Sequence, residues 1–280
     1  MVGDKMVAAD GGDSWSLVSG AEPVSKAVVK LARLGTSAAE MRVRREWLDL
    51  LSLRPGEIVV DVGAGSGVIT IDLARAVAPG GRVFAADPSA GLLDVARDAA
   101  RDAGIGHLVD CRVADGRKLP FGPAAFDAAV CHWVLLHVDR PGEVIAEMKR
   151  VTRLGGRVLS VEMDWETAMI GPGDRRLTRR ILNYAADRSL DPWIGRRLPR
   201  LFAAAGLADV AVHPIVLMDR GRDDRAWFDF ARERGEIALD GGAVTREEVA
   251  TWQDGLDVAF RTGTFFFAVV QFVVIGRVAD

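Results

Sequence analysis

Short apolar runs alternate with segments of helical periodicity from residue 58 onward. The run from Ile58 to Val62 is apolar except for Asp61, which is typical of a strand buried on both faces. The same reasoning predicts strands at 58–62, 82–86, 108–113, 126–131 and 156–162, and helices at about 67–78, 89–103 and 141–153. Strands that alternate with helices favour a doubly wound parallel sheet with right-handed crossovers. Ligands of such sheets bind at the carboxyl ends of the strands.

The C-terminal third of the chain adds helices and two further strands. The pattern predicts helices at about 174–188 and 195–205, a sixth strand at 209–218, a helix at about 223–239, and a last strand from Thr264 to Val278. Thr245 and Glu248 form a capping-box pattern that begins one more helix before this last strand. The last strand is apolar on both faces, so we expect it to be covered on both sides. The competing interpretation is an exposed edge used for oligomerisation.

Three regions follow from these elements. Residues 1–20 are rich in Gly, Asp and Ser and are expected to be a mobile N-terminus without a signal peptide or membrane span. Residues 21–52 have helical spacing and are expected to form an N-terminal helical cap. Residues 53–280 are expected to form one α/β domain with helical insertions at about 165–205 and 219–263.

Composition narrows the function classes. The chain has 280 residues, 49% of them hydrophobic, and a net charge of −3, which suits one large globular domain and gives no basic excess for nucleic acid. Its two cysteines, Cys111 and Cys131, both fall in predicted strands, so we expect no disulfide and a cytoplasmic location. The four histidines lack the spacing of metal ligands on a helix, so no metal is expected. A homo-oligomer is left open.

A glycine turn follows the first strand. Gly63, Gly65 and Gly67 alternate with small residues just before a helix, where a sharp bend and free N–H groups suit an anionic ligand. Such turns also occur for steric reasons alone. Val68 stands where a dinucleotide fingerprint has its third glycine, which argues against NAD. Asp87 ends the second strand and is well placed for the hydroxyls of a ribose.

These segments resemble a known family. Asp61 followed by the three glycines resembles motif I of the Rossmann-like methyltransferases that use S-adenosylmethionine (SAM). Phe126-Asp127, an apolar strand and Leu135-Leu136-His137 resemble the same family's fourth strand and following loop. The resemblance covers roughly residues 40–215. Within this family the chain is similar to quinone C-methyltransferases and to small-molecule methyltransferases of actinomycete natural-product pathways.

The resemblance implies a fold and a set of cofactor contacts. The fold is a doubly wound, seven-stranded, mainly parallel sheet with an antiparallel last strand, a helical N-terminal cap and helical insertions over the active site. SAM, or its product S-adenosylhomocysteine (SAH), would bind with the glycine turn at its amino-acid end, Asp87 at the ribose and Asp115 at the adenine. The full set of expected cofactor contacts is Asp61, Gly63, Ala64, Gly65, Gly67, Asp87, Pro88, Ala114, Asp115, Gly116, Cys131 and His132.

The implied reaction is methyl transfer to a hydrophobic or aromatic small molecule, at carbon, oxygen or nitrogen, in secondary metabolism. The alternative is a SAM-binding protein of the same fold that acts as a cyclase or regulator. His132 and His137 are the candidate bases, although His137 could equally hydrogen-bond a neighbouring loop. The expected substrate wall comprises Trp133, His137, Trp165 and Trp227, and the polar and aromatic segment Glu162–Glu166 is a further candidate for it. Most aromatic residues in such a chain serve ordinary packing.

Overall fold

One seven-stranded sheet organises the protein. The structure is a computed structural model that describes residues 29–30 and 32–279. The strands are β1 (Ile58–Val62), β2 (Arg82–Asp87), β3 (Val109–Val113), β4 (Phe126–His132), β5 (Thr152–Gly171), β6 (Ala208–Asp219) and β7 (Phe266–Arg277). They lie in the order β3-β2-β1-β4-β5-β7-β6. The pairs among β1 to β5 are parallel, and β7 is antiparallel to both β5 and β6. The predicted fold class is confirmed.

Eight α-helices that lie entirely within the described residues cover the two faces of this sheet. They are α1 (Ala38–Leu51), α2 (Val68–Val77), α3 (Ala90–Asp102), α4 (Pro141–Val151), α5 (Arg175–Asp187), α6 (Ile194–Ala204), α7 (Ala226–Asp240) and α8 (Arg246–Arg261). Val59 of β1 packs into an apolar cluster with α1, α2, α7 and α8. The next residue, Val60, packs into a second cluster with α4 and α6, as the alternation of a strand requires.

Strand β5 is longer than its sequence pattern predicts. It was expected at 156–162, with a helical insertion from about 165, but it continues to Gly171 and α5 begins only at Arg175. The extension pairs with the first half of β7, and the register shifts between Asp164 and Met169. Trp165 therefore lies inside a strand. Its pairing partner is a hundred residues away in sequence, so the local pattern did not reveal the strand.

The N-terminal cap is described only in part. Residues 32–35 are helical and precede α1, whereas the predicted mobile segment 1–20 and the start of the cap lie outside the described residues. Ser37 caps α1, because its side chain accepts a hydrogen bond from Glu40 N. Asp224, ahead of α7, accepts a hydrogen bond from Ala38 N at 3.1 Å. The start of α1 is therefore joined to the segment that enters α7.

The last strand lies inside the sheet. β7 is hydrogen-bonded to β5 on one side and β6 on the other, and Phe267, Val269 and Val273 are buried. This confirms the predicted burial and excludes an exposed edge at β7. Because β6 runs parallel to β5, the connection from β6 to β7 lies at the carboxyl ends of the parallel strands. Helices α7 and α8 are in that connection. None of the helices that the structure describes is long and apolar enough to cross a membrane.

Removing β7 is expected to prevent folding. A chain that ends at Arg261 would leave β5 and β6 without the strand between them and would expose the apolar cluster that β7 covers. We expect this chain to be insoluble or to lack a cooperative thermal transition measured by circular dichroism. A chain that ends at Val278 retains β7 and serves as the control. A cooperative transition in the shorter chain would contradict the structural role of β7.

Candidate functional site

The glycine turn after β1 has left-handed backbone at three positions. Gly63, Gly65 and Gly67 have φ values of 76°, 53° and 82°, which residues with a Cβ rarely adopt. Gly63 N donates to Ala86 O at 2.7 Å, so the turn lies against the end of β2. A Cβ at Gly63 would lie 2.2 Å from Val134 Cγ2. Only glycine therefore allows the turn to pass beneath the loop that follows β4.

Asp87 joins the glycine turn to the start of α3. Its Oδ2 accepts a hydrogen bond from Gly65 N at 2.9 Å, and its Oδ1 accepts one from Ser89 N at 2.8 Å. The side chain is only 3% exposed, and this burial raises the pKa of Asp87 above its usual range despite both hydrogen bonds. Each carboxylate oxygen keeps a second acceptor site, so Asp87 can still receive hydroxyl donors from a ligand.

Asp61 lies beneath the turn and links β1 to α2 through a hydrogen bond. Its Oδ2 accepts a hydrogen bond from Thr70 Oγ1 at 2.6 Å, and the residue is buried. Burial raises the pKa of Asp61 to about 7, and the nearby charge of Asp87 adds to the shift. Asp61 lines neither of the cavities described next. The structure places it as a support for the turn.

Two cavities meet at Gly63 and Val134, which line both. The first lies between the ends of β2 and β3 and is lined by Asp87 and Asp115, among others. The second lies between the glycine turn and the end of β4. Of the residues predicted from sequence, those that line one or both cavities are Gly63, Ala64, Gly65, Asp87, Pro88, Asp115, Gly116, His132, Trp133 and His137. Gly67, Ala114, Cys131, Trp165 and Trp227, like Asp61, line neither.

Asp115 is exposed and pairs with Arg117. Three hydrogen bonds from the Arg117 side chain and one from its backbone N reach the Asp115 carboxylate, and Arg117 also bonds Asp139 at 2.7 Å. The guanidinium hydrogen bonds hold the pKa of Asp115 below its usual range. Asp115 is therefore an ionised acceptor at the outer end of the first cavity.

Two more residues predicted from sequence, Cys131 and His137, have pKa values that burial shifts. Cys131 packs in the cluster beneath α4, and burial raises the pKa of its thiol well above the usual range. His137 lies in the first cavity, and burial lowers its pKa to about 4. At neutral pH His137 is therefore uncharged. It lines the cavity that contains Asp87 and Asp115, whereas from sequence His137 was a candidate either for the acceptor wall or for a hydrogen bond to a neighbouring loop.

The loop after β4 has a strained residue and a buried support. Trp133 has a φ of 57°, unusual for a bulky side chain, and its N–H donates to Val161 O at 2.9 Å. Glu162 Oε1 accepts hydrogen bonds from Val134 N at 2.9 Å and Leu135 N at 2.6 Å. Burial raises the pKa of Glu162 to about 8. Glu162 was expected in the substrate wall, but it is fully buried and holds the loop backbone instead.

An aromatic cluster connects this loop to β7 and α7. The ring of Trp133 stacks on His132 with centroids 4.5 Å apart and meets Trp227 edge-on at 6.0 Å. Trp227 is fully buried, stacks on Phe267 at 4.9 Å and donates from Nε1 to Ser37 Oγ at 3.0 Å. Trp165, which is half-buried, stacks on Phe230 at 5.3 Å. Of the three predicted tryptophans, Trp133 alone reaches a cavity at the glycine turn.

Sequence reasoning missed two polar residues beside His132. Glu40 from α1 and Gln271 from β7 are both fully buried and hydrogen-bonded to each other. Glu40 follows Ser37 in an ordinary helix-start pattern that suggests an exposed carboxylate. Gln271 gave a usable signal, because it interrupts an otherwise apolar strand. No group of three or more His, Cys, Asp or Glu side chains that could hold a metal occurs within the described part of the chain.

Comparisons with known proteins agree with this geometry. The family model described as "Methyltransferase domain" matches residues 60–160. An uncharacterized 37.1 kDa protein of transposon TN4556 from Streptomyces fradiae is 32% identical over 248 residues, which cover 88% of this chain and 70% of that protein. The ubiquinone/menaquinone biosynthesis C-methyltransferase UbiE of Pseudomonas paraeruginosa is 37% identical over 119 residues, 42% of this chain and 46% of UbiE. The chain belongs to the class I SAM-dependent methyltransferases.

The match to UbiE covers part of each chain, and the same fold also occurs in a cyclase. The chain spans about half the length of UbiE, and the family model matches residues 60–160, which run from within β1 into β5. The crystal structure of the [4+2]-cyclase SpnF has the same fold, with a TM-score of 0.55, 21% identity, and coverage of 96% of each chain. The fold therefore accommodates chemistry other than methyl transfer.

The residues present fit the methyl donor of this family. Gly63 lines both cavities, and the buried carboxylate of Asp87 has acceptor capacity left for ribose hydroxyls. The N-terminus of α2 follows at Gly67 and adds backbone N–H groups. A class I methyltransferase needs these features on one edge of its sheet.

The contribution of Asp61 and Glu162 to the free energy of unfolding is expected to fall as pH rises from about 4 to about 8. The pKa values of Asp61 and Glu162 are raised in the folded protein to about 7 and about 8. Within this window the folded state therefore holds protons that the unfolded chain has lost. Each group contributes a slope of up to about 1.4 kcal/mol per pH unit.

Glu162→Gln tests this expectation, since it keeps an acceptor oxygen for the loop and removes the ionisation. Urea unfolding at several pH values should show a shallower decline for this variant than for the parent. Glu166→Gln, at an exposed position of the same strand, is the control. Identical pH dependence in the parent and Glu162→Gln would show that Glu162 does not hold a proton in the fold.

Proposed function

We propose that this protein transfers the methyl group of SAM to a hydrophobic or aromatic small molecule. The observation that carries this proposal is the backbone of Trp133. A φ of 57° is costly for a bulky residue, by about 1 kcal/mol or more. Two hydrogen bonds from the neighbouring backbone to Glu162 and one to Val161 maintain this loop. The strained residue lines the cavity beside the glycine turn, where methyl transfer would take place.

The proposed cofactor contacts follow the two cavities. The amino-acid end of SAM would lie at Gly63 and Gly65 in the second cavity, and the adenosine would lie in the first cavity with Asp87 at the ribose and Asp115 at the adenine. Bound SAM supplies a methyl group already activated by its sulfonium leaving group. The protein residues then have to orient the acceptor, exclude water and receive a proton where the acceptor releases one.

The aromatic cluster supports an apolar acceptor. Trp133 contributes an indole face to the second cavity and is backed by Trp227 and Phe230. Indole faces bind aromatic and apolar molecules. We further propose a role in secondary metabolism. Both cysteines are free in the structure, which is compatible with the cytoplasmic location inferred from sequence.

Replacing Asp87 by alanine should weaken SAM and SAH binding. The variant loses charge-assisted hydrogen bonds to the ribose, worth about 1.5–3 kcal/mol each before water replaces them, so we expect a loss of at least about tenfold in affinity. Isothermal titration calorimetry with SAH measures this. Asp94→Ala is the control, because Asp94 is an exposed carboxylate on the next helix that pairs with Arg97. Unchanged SAH affinity in Asp87→Ala would overturn the cofactor assignment.

Methyl transfer itself is tested with SAM carrying a labelled methyl group and a panel of phenols, naphthols and prenylated quinols. Mass-shifted products would support the proposal. SAM that binds but remains unconsumed with every acceptor class would favour the alternative, a SAM-binding cyclase or regulator on the same fold.

Trp133 and Trp227 should behave differently when substituted. Trp133→Asn preserves a residue that tolerates left-handed backbone but removes the indole, so we expect a higher KM for the acceptor and nearly unchanged SAH affinity. Trp227→Ala empties a fully buried position and should lower the free energy of unfolding by about 3–5 kcal/mol. Kinetics, calorimetry and urea unfolding on both variants distinguish the roles. An unchanged acceptor KM in a folded Trp133→Asn protein would place the acceptor elsewhere.

A further inference from the structure

A buried carboxylate from the N-terminal cap contacts the imidazole at the end of β4. Glu40 Oε1 lies 3.1 Å from His132 Nε2, and the two side chains are 0% and 6% exposed. The other oxygen, Oε2, accepts a hydrogen bond from Gln271 Nε2 at 2.7 Å. Helix α1 and strands β4 and β7 thus each supply one member of a polar group in the protein interior.

The start of α1 shows that this burial is not a routine helix cap. Glu40 is the third residue of a helix capped by Ser37, and a glutamate at this position ordinarily bonds the N-cap backbone. Thr245 and Glu248 form that complete capping box at the start of α8, where Glu248 is 36% exposed. Glu40 points inward instead. Because an unpaired buried carboxylate is costly, its interior partners explain its position.

The contact with Glu40 determines how His132 carries its proton. An ionised Glu40 carboxylate only accepts hydrogen bonds, so His132 would donate to it from Nε2, and in the neutral ring Nδ1 would then be the acceptor. No hydrogen bond to Nδ1 is formed within residues 32–279. His132 lines the cavity beside the glycine turn. The rings of Trp133 and Trp47 pack against the imidazole, with centroids 4.5 Å and 5.8 Å away.

We propose that Glu40 and His132 act as a carboxylate–imidazole pair in which His132 removes a proton from an O–H or N–H acceptor and Glu40 is the positioning residue. This inference rests on the proposed methyl transfer. The acceptor's O–H or N–H bond breaks, and its electron pair forms the bond to the methyl carbon of SAM. The carbon–sulfur bond breaks with its electron pair left on sulfur, which gives SAH. The proton goes to His132 Nδ1, and Glu40 stabilises the resulting imidazolium.

His137 is the weaker candidate for this role. Burial lowers its pKa to about 4, which makes it a poor proton acceptor near neutral pH. It also lies in the cavity with Asp87 and Asp115, where the adenosine is expected. The structure therefore separates two histidines that the sequence left equivalent, and it favours oxygen or nitrogen over an olefinic carbon as the methylated atom.

The first test measures the proton on His132 directly. In histidine-¹⁵N-labelled protein saturated with SAH at about pH 9, where histidine is neutral, His132 should carry its proton on Nε2. Glu40→Leu should distribute the proton over both nitrogens, whereas Glu248→Leu, which removes the equivalent glutamate of α8, should leave it on Nε2. His132→Asn identifies the signal by its loss. A proton on Nδ1 in the parent, or the same spectrum in Glu40→Leu, would overturn the pair.

The second test uses the acidity of the acceptor. Transfer from SAM to 4-methoxyphenol, which retains its proton at about pH 8.5, should fall in kcat by roughly 10- to 100-fold in Glu40→Gln, within the range of general-base effects. Transfer to 4-nitrophenol, which is ionised at that pH, needs no base and should fall by less than about threefold. A purely structural role for Glu40 would reduce both rates alike, and that result would overturn the inference. Glu248→Gln should leave both rates unchanged.

The same assays separate failure of this inference from failure of the proposed function. A parent protein that does not bind SAM in calorimetry would refute the proposed function. A parent protein that binds SAM and methylates farnesene, which has no O–H or N–H, but neither the phenols nor benzylamine would refute only the inference. SAH affinity in Glu40→Gln should remain within about twofold of the parent, because Glu40 bonds His132 and Gln271.

Discussion

The candidate site depends on the close packing at Gly63, where there is no room for a side chain. Its backbone passes beneath Val134 so closely that one added carbon would overlap the valine side chain. The same residue is hydrogen-bonded to Ala86 at the end of β2. Three strand ends therefore hold fixed positions relative to each other. Asp87 and His132, which lie on two of those ends, obtain their separation and orientation from this contact.

Much of the cofactor half, which runs from β1 to β4, could be predicted from sequence because the patterns that indicate it are local. A buried strand, a glycine turn and an acidic residue at the next strand end lie within thirty residues, and each has a direct physical reason. The roles of single residues were less accessible. Asp61 and Glu162 both have buried support functions, since a carboxylate looks the same in sequence whether it faces a ligand or a backbone N–H. Only the three-dimensional surroundings distinguish the two.

The remaining errors come from contacts between distant segments. The second half of β5 exists because β7 pairs with it, and Glu40 reaches His132 because α1 packs over the sheet. Trp227 was expected at the acceptor, but Ser37 and Phe267 enclose it in the core. In each case the local pattern allowed several environments, and a partner more than ninety residues away selected one.

The position of β7 also bears on how the chain reaches this structure. During synthesis β6 leaves the ribosome before β7, yet within the sheet its hydrogen-bonding neighbour is β7. Until β7 is made, β6 has an unpaired backbone, and β5 has an open side next to its apolar residues. The strands β1 to β4 are adjacent in the sheet, in the order β3-β2-β1-β4, so they can pair with one another before β6 and β7 are made. Vectorial folding should therefore complete the glycine turn early and leave β6, α7, α8 and β7 to assemble last, as one cooperative step.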